Sequence, residues 1–209
     1  MSTILGSLKI KLACAVISAG LAIPMGLGCA LGAQQASPEQ IIKALKPARI
    51  TRGLTSADAA RAAEEARFVD GLRNRTSRSL STEEREKIIS IAGKKPSIDL
   101  EINFEYNSAT IGTKATPQVT ALGQSLTSAD LKGATFAVAE YTDAKGSDTY
   151  NQGLSERRAD AVKRFLQENY GIEADKLVTA GYGKSQLKNP SKPFASENRR
   201  VQVINLADK

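Results

Sequence analysis

Two side chains of opposite charge have the types and placement to do chemistry together. Asp143 follows a short apolar run containing Phe136 and Val138, and Arg158 lies farther on, inside a long amphipathic segment. Projected around a helix from Leu154, Arg158 falls within the stripe formed by Ala161, Val162 and Phe165, whereas Arg157, Lys163 and Arg164 point away. A guanidinium within an apolar stripe is costly unless an anion or carbonyl partners it. Asp143 is the nearest candidate in chain order. The loop at residues 142–148 brings a strand end to a helix N-terminus, where backbone amides favour anionic ligands. An acid and a base at one rim suit a zwitterion, its carboxylate bidentate on Arg158 and its ammonium on Asp143. The same two residues also suit a structural salt bridge, and the residues by themselves leave both open.

Catalytic readings meet an early obstacle. The 209 residues contain no His, no Trp and only two Cys, which removes the commonest general base, the usual zinc ligand and nearly all thiolate chemistry. The carboxylates form no recognisable acid and base pair. The chain therefore reads as a binding protein, not an enzyme, with no catalytic residue, metal ligand or cofactor.

The elements that must hold Asp143 and Arg158 follow from periodicity. Residues 98–104 alternate Ile98, Leu100, Ile102 and Phe104 against Asp99 and Glu101, a half-buried strand. A helix is expected from Thr116 through Leu126, a strand around Phe136 and Val138, and a long helix over 153–170. A short strand at 177–180 and a last one at 200–206 complete the order βαβαββ. This predicts an α+β fold with a mixed sheet and helices packed on one face.

The N-terminal part has a different character. Residues 12–37 carry no charge and follow Lys9 and Lys11, the order of a secretory signal, with Gly20, Pro24, Gly26 and Gly28 weakening a continuous membrane helix. Cleavage is expected near Ala30 or Ala33, and Gly26-Leu27-Gly28-Cys29 partly resembles a lipoprotein signal, which makes Cys29 a candidate lipid anchor. The expected organisation is a signal peptide at 1–33, a basic helical extension or linker at 34–97, and the α+β domain at 98–209. Residues 34–97 hold 13 basic and 8 acidic side chains, net +5, whereas 98–209 are neutral. Arg73, Arg75 and Arg78 suggest either a solvated linker or a contact with an anionic polymer or lipid head groups. The extension lacks the stacking aromatics of a nucleic-acid module, so no nucleic acid is expected as a partner. It reads as helix and linker, not as barrel strands.

Thr142-Asp143, Gly146-Ser147, the string from Asn151 to Ala159, then Gly181-Tyr182-Gly183 and Asn198-Arg199-Arg200-Val201 closely resemble the C-terminal domain of the OmpA-like family. The resemblance covers residues 98–206. It implies non-covalent binding of peptidoglycan through the diaminopimelate residue of its stem peptide, with Asp143 on the ligand's amino group and Arg158 on its carboxylate. Thr142, Asn151, Leu154 and Ala159 would line the pocket, with Arg199 nearby. It further implies a location in the periplasm of a Gram-negative envelope, linking cell wall to outer membrane through a lipid or an envelope protein partner. The alternative is a partner-binding protein whose basic segment carries the main interaction and whose domain is only an anchor. Two positions depart from the family pattern. Glu140-Tyr141 stand where Gly-His is usual, and Lys184 stands where Glu follows Gly-x-Gly. Glu140 would favour the ligand's ammonium, disfavour its carboxylate or distort the backbone.

Overall fold

Ser37 begins the first helix, α1 (Pro38–Leu45), with a reciprocal capping box to Gln40 and a proline in the first turn. The computed structural model describes residues 35–47, 55–73 and 75–206, so the expected signal peptide and Cys29 lie outside the described residues. Among these, no helix is long and apolar enough to cross a membrane. Capping boxes at Thr55/Asp58 and Ser81/Glu84 likewise start α2 (Ser56–Leu72) and α3 (Thr82–Ala92).

The second half follows the expected order: β1 (Ser97–Leu100), α4 (Thr116–Leu126), β2 (Phe136–Tyr141), α5 (Asp148–Tyr170), β3 (Leu177–Gly183) and β4 (Arg200–Asn205). The strands form one sheet in the order β1-β4-β2-β3, with β2 and β3 parallel and the other pairs antiparallel. β1 ends earlier than its alternation suggests, because β4 begins at Arg200 and Val201 already pairs with Leu100. The chain from residue 101 onward has no strand to join and turns into the loop that reaches Arg158. Helix α5 starts earlier than expected, since the Ser147 hydroxyl accepts the Tyr150 amide and caps the chain there.

β3 runs on through Gly181-Tyr182-Gly183, and the glycines explain how α5 lies so close. A Cβ on Gly181 would clash with the Glu156 amide nitrogen, and one on Gly183, at φ +52°, would come 2.8 Å from the Gln152 amide nitrogen. The amides of these two glycines are accepted by side-chain hydroxyls, Gly181 by Ser77 and Gly183 by Ser155. The exposed side of edge strand β3 is thereby occupied.

α4 and α5 pack on one face of the sheet, where Val119, Leu122, Val162 and Leu166 meet Phe136, Val138, Leu177 and Val203. The N-terminal segment does not behave as the expected extension. Ile41 and Leu45 of α1 are fully buried in that same cluster. Gln118 holds both the amide and the carbonyl of Ala36, and Asn205 donates to the Leu45 carbonyl at 2.9 Å. Val69, Leu72, Ile88 and Ile91 of α2 and α3 cover the opposite face over Ala137, Ala139, Tyr141, Val178, Ala180 and Tyr182. The reason is visible in β2 and β3, whose side chains are buried along their whole length on both faces. A sheet apolar on both sides must be covered on both sides.

Candidate functional site

The end of β2, the start of α5 and the loop after β1 converge at one rim. Thr142 continues the β2 line, its amide donating to the Gly183 carbonyl at 2.8 Å and its hydroxyl to the Asp143 carbonyl. Asn151 in the first turn of α5 donates to the carbonyls of Lys145 and Ser147, at 2.9 and 3.1 Å, and so ties the intervening loop to the helix. Within that loop Asp143 accepts the Lys145 amide on Oδ1 at 3.0 Å and Nη1 of Arg199 on Oδ2 at 2.8 Å. Arg199 comes from the segment just before β4 and is about half exposed.

Arg158 lies beneath this rim, 7% exposed. Its Nε donates to the Ser108 carbonyl at 2.9 Å and its Nη2 to the Glu105 carbonyl at 3.2 Å, and its guanidinium lies 4.7 Å from the centre of the Phe104 ring. Nη1 stands 3.8 Å from Oε1 of Glu140. Burial lowers the Arg158 pKa, and the facing Glu140 carboxylate is the main influence holding it up, with Tyr150 and Asp143 adding to it. Glu140 itself is 2% exposed. Its burial pushes its pKa up to about 8, against the opposing pull of Arg158 and Arg200. Its Oε2 atom is buried without a hydrogen-bond partner.

These contacts settle the salt-bridge alternative. Asp143 pairs with Arg199, not with Arg158, because the Arg158 side chain is drawn to the carbonyls of the loop after β1. Asp143 and Arg158 do share one neighbourhood, since the charge of Asp143 acts on Arg158. Leu154 and Ala159, 6% and 0% exposed, lie on α5 beside Arg158 and complete the set that the sequence singles out. Sequence reasoning missed the wall made by Phe104 and the carbonyls of Glu105 and Ser108. The available signal is the aromatic and polar run at 104–108, where Asn107 adopts a positive φ of 54°. Glu140 lies within strand β2 at negative φ, and the β2–β3 register shifts between Glu140 and Tyr141, which pair with Gly181 and Gly183 and leave Tyr182 opposite neither.

A groove of about 650 Å³ lies beside this rim and shares the Asn107 and Ser108 wall, with Arg78, Arg157 and Arg164 also lining it. Of the basic segment, Arg73 is engaged by Asp70 and Asp175, and Arg75 by Glu84. Arg78, Arg157 and Arg164 have no ion pair among the described residues. No group of three or more His, Cys, Asp or Glu side chains able to hold a metal ion occurs among the described residues.

Comparison with known proteins places residues 103–200 against the OmpA family. Outer membrane protein A of Escherichia coli O157:H7 is 41% identical over 85 residues, covering 41% of this chain and 24% of that protein. Outer membrane porin F of Pseudomonas aeruginosa is 31% identical over 108 residues, covering 51% of this chain and 30% of that protein. The chain thus spans about a quarter to a third of the length of the curated relatives it matches. Among solved structures, an OmpA-like domain from Francisella tularensis aligns at 25% identity with a TM-score of 0.45, over 51% of this chain and 70% of that one.

Proposed function

We propose, from the match of residues 103–200 to the OmpA family, that the chain binds peptidoglycan non-covalently and without catalysis, through diaminopimelate. The ligand's ammonium is placed at Asp143 and its carboxylate at Arg158, with Thr142, Asn151, Leu154 and Ala159 shaping the pocket and Arg199 beside it. The observation that carries this reading is the separate fixing of Asp143 and Arg158. Each is oriented by its own partners, Asp143 by the Lys145 amide and Arg199, Arg158 by two backbone carbonyls, so neither consumes the other. Two opposite charges oriented in advance at one rim, one of them largely desolvated, match an amino acid's two charged ends. The setting proposed is the periplasm of a Gram-negative envelope, with the cell wall held to the outer membrane through lipidated Cys29 or an envelope protein.

The test is sedimentation of the full chain with purified diaminopimelate-type peptidoglycan, wild type beside Asp143→Ala and Arg158→Ala, at low and high salt. Salt-resistant binding lost in either variant is the expected result. Binding that ignores both substitutions and vanishes in salt overturns this reading. It would favour the second one, in which a basic surface carries the interaction. That second reading draws its support from the Arg78, Arg157 and Arg164 groove, because Arg73 and Arg75 are already paired.

A further inference from the structure

Glu140 stands on the face of β2 that α5 covers, opposite Gly181 of β3 and Val201 of β4 in register. The charged groups bearing on it are Arg158 from α5 and Arg200 from β4, while β3 presents only a glycine at that level. Arg158 is in turn influenced by Tyr150, Arg199 and Asp143. Its Nε–H and one N–H of Nη2 are given to the Ser108 and Glu105 carbonyls, so Nη1, which makes no hydrogen bond to the protein, is the nitrogen with both N–H groups open to a ligand carboxylate. That same nitrogen faces Oε1 of Glu140 at 3.8 Å, with the partnerless Oε2 buried behind it. Two ionised carboxylates at one buried nitrogen repel, and such a pair keeps a proton.

We propose that Glu140 is a specificity-determining residue of the pocket: it competes with the ligand's carboxylate for Nη1 of Arg158, and that carboxylate enters together with one proton bound from solvent by Glu140. The inference rests on the reading under Proposed function and adds a selectivity to it. A carboxamide in the same position needs no proton, because its oxygen accepts from Nη1 and its NH2 group donates to the Glu140 carboxylate. Raising the pH therefore shifts the preference from diaminopimelate toward its amide. In the unliganded chain burial already pushes Glu140 up to about 8, which places the shift near neutral pH.

The experiment is calorimetric titration of the full chain with a disaccharide tripeptide carrying diaminopimelate, and with the same muropeptide amidated at that carboxylate, between pH 7 and pH 9. Buffers of different ionisation enthalpy give the proton count. The expected result for the free carboxylate is an affinity about tenfold weaker at pH 9 than at pH 7, with roughly half a proton taken up at pH 8 and nearly one at pH 9. The amidated ligand, which meets Glu140 as the carboxylate, is expected to take up no proton and to bind at least as tightly at pH 9 as at pH 7, and the Glu140→Gln variant is expected to be flat in pH with either ligand. The wild-type proton count and the amidated ligand make the test independent of how well the variant folds. A flat wild-type profile without proton uptake, or an unchanged profile in Glu140→Gln, overturns this inference and leaves the proposed function standing. Failure of both muropeptides and of whole peptidoglycan to bind at any pH overturns the proposed function and this inference with it.

Discussion

Nη2 of Arg85 on α3 lies 2.7 Å from Oε1 of Glu156 on α5, although the two helices pack on opposite faces of the sheet. The contact passes the edge at β3, where Gln152 also donates to Glu156 and the Tyr182 hydroxyl donates to the Arg85 carbonyl. The N-terminal helices are thereby joined to the helix that carries Arg158. Both side chains are largely buried, so removing one strands the other. Arg85→Ala is expected to destabilise the chain by about 2 kcal/mol, less than a fully buried pair would lose, read as a lower urea midpoint.

Ile41 tests whether α1 is part of the core. Its side chain is fully buried among Val119, Leu122 and their neighbours, so Ile41→Ala is expected to cost about 2–5 kcal/mol in urea unfolding. A loss below about 0.5 kcal/mol, as at an exposed position, would restore the view of this segment as a linker.

Gly181→Ala forces a methyl group against the backbone of α5, which cannot yield as a flexible side chain would. We expect a loss of about 3 kcal/mol or more, together with weaker ligand binding, because Arg158 is on the helix that must move. Stability equal to wild type would mean that α5 lies farther from β3.

Asp143→Ala separates binding from stability. The Asp143–Arg199 pair is half exposed on the arginine side and contributes about 1 kcal/mol or less. The variant is expected to melt close to wild type while its affinity for diaminopimelate-type peptidoglycan falls at least about tenfold, as loss of a charge-assisted contact requires.

Stability should fall as pH rises. Glu140 has a folded-state pKa of about 8, above its unfolded value, so the folded chain holds an extra proton between about pH 4.5 and pH 8. Stability is greatest below that window and is lost through it, with a slope approaching ~1.4 kcal/mol per pH unit from this group. Glu140→Gln is expected to remove the slope in urea titrations run at successive pH values. A slope unchanged by the substitution would place the titrating group elsewhere.

Much of the framework was legible because periodicity reports burial. Phe136 and Val138, the stripe of α5 and the alternation of β4 each announce one packed face, and the inward lean of Arg158 followed from the same projection. What periodicity could not show was the second face. Ala137, Ala139 and Ala180 are too small to announce a core, and the Ala-rich α2 that helps cover them is nearly featureless, so the partners α2 and α3 read as an extension. At the site, side-chain types pointed to Asp143 and Arg158. The groups that actually hold Arg158 are the backbone carbonyls of Glu105 and Ser108, which carry no residue-specific signal. The Asp143–Arg199 pair joins distant segments and needed the sheet order to be seen.

The hydrogen bond from Asn205 to the Leu45 carbonyl closes the chain almost end to end among its described residues. Helix α1 packs on α4 and β1, and β4 completes its cover from beside β1 and β2. Native contacts so distant in sequence make folding slow and place its completion late. Until β4 is in place, Ile41 and Leu45 lack part of their cover, so the closing of this core joins segments about 160 residues apart and falls late in folding.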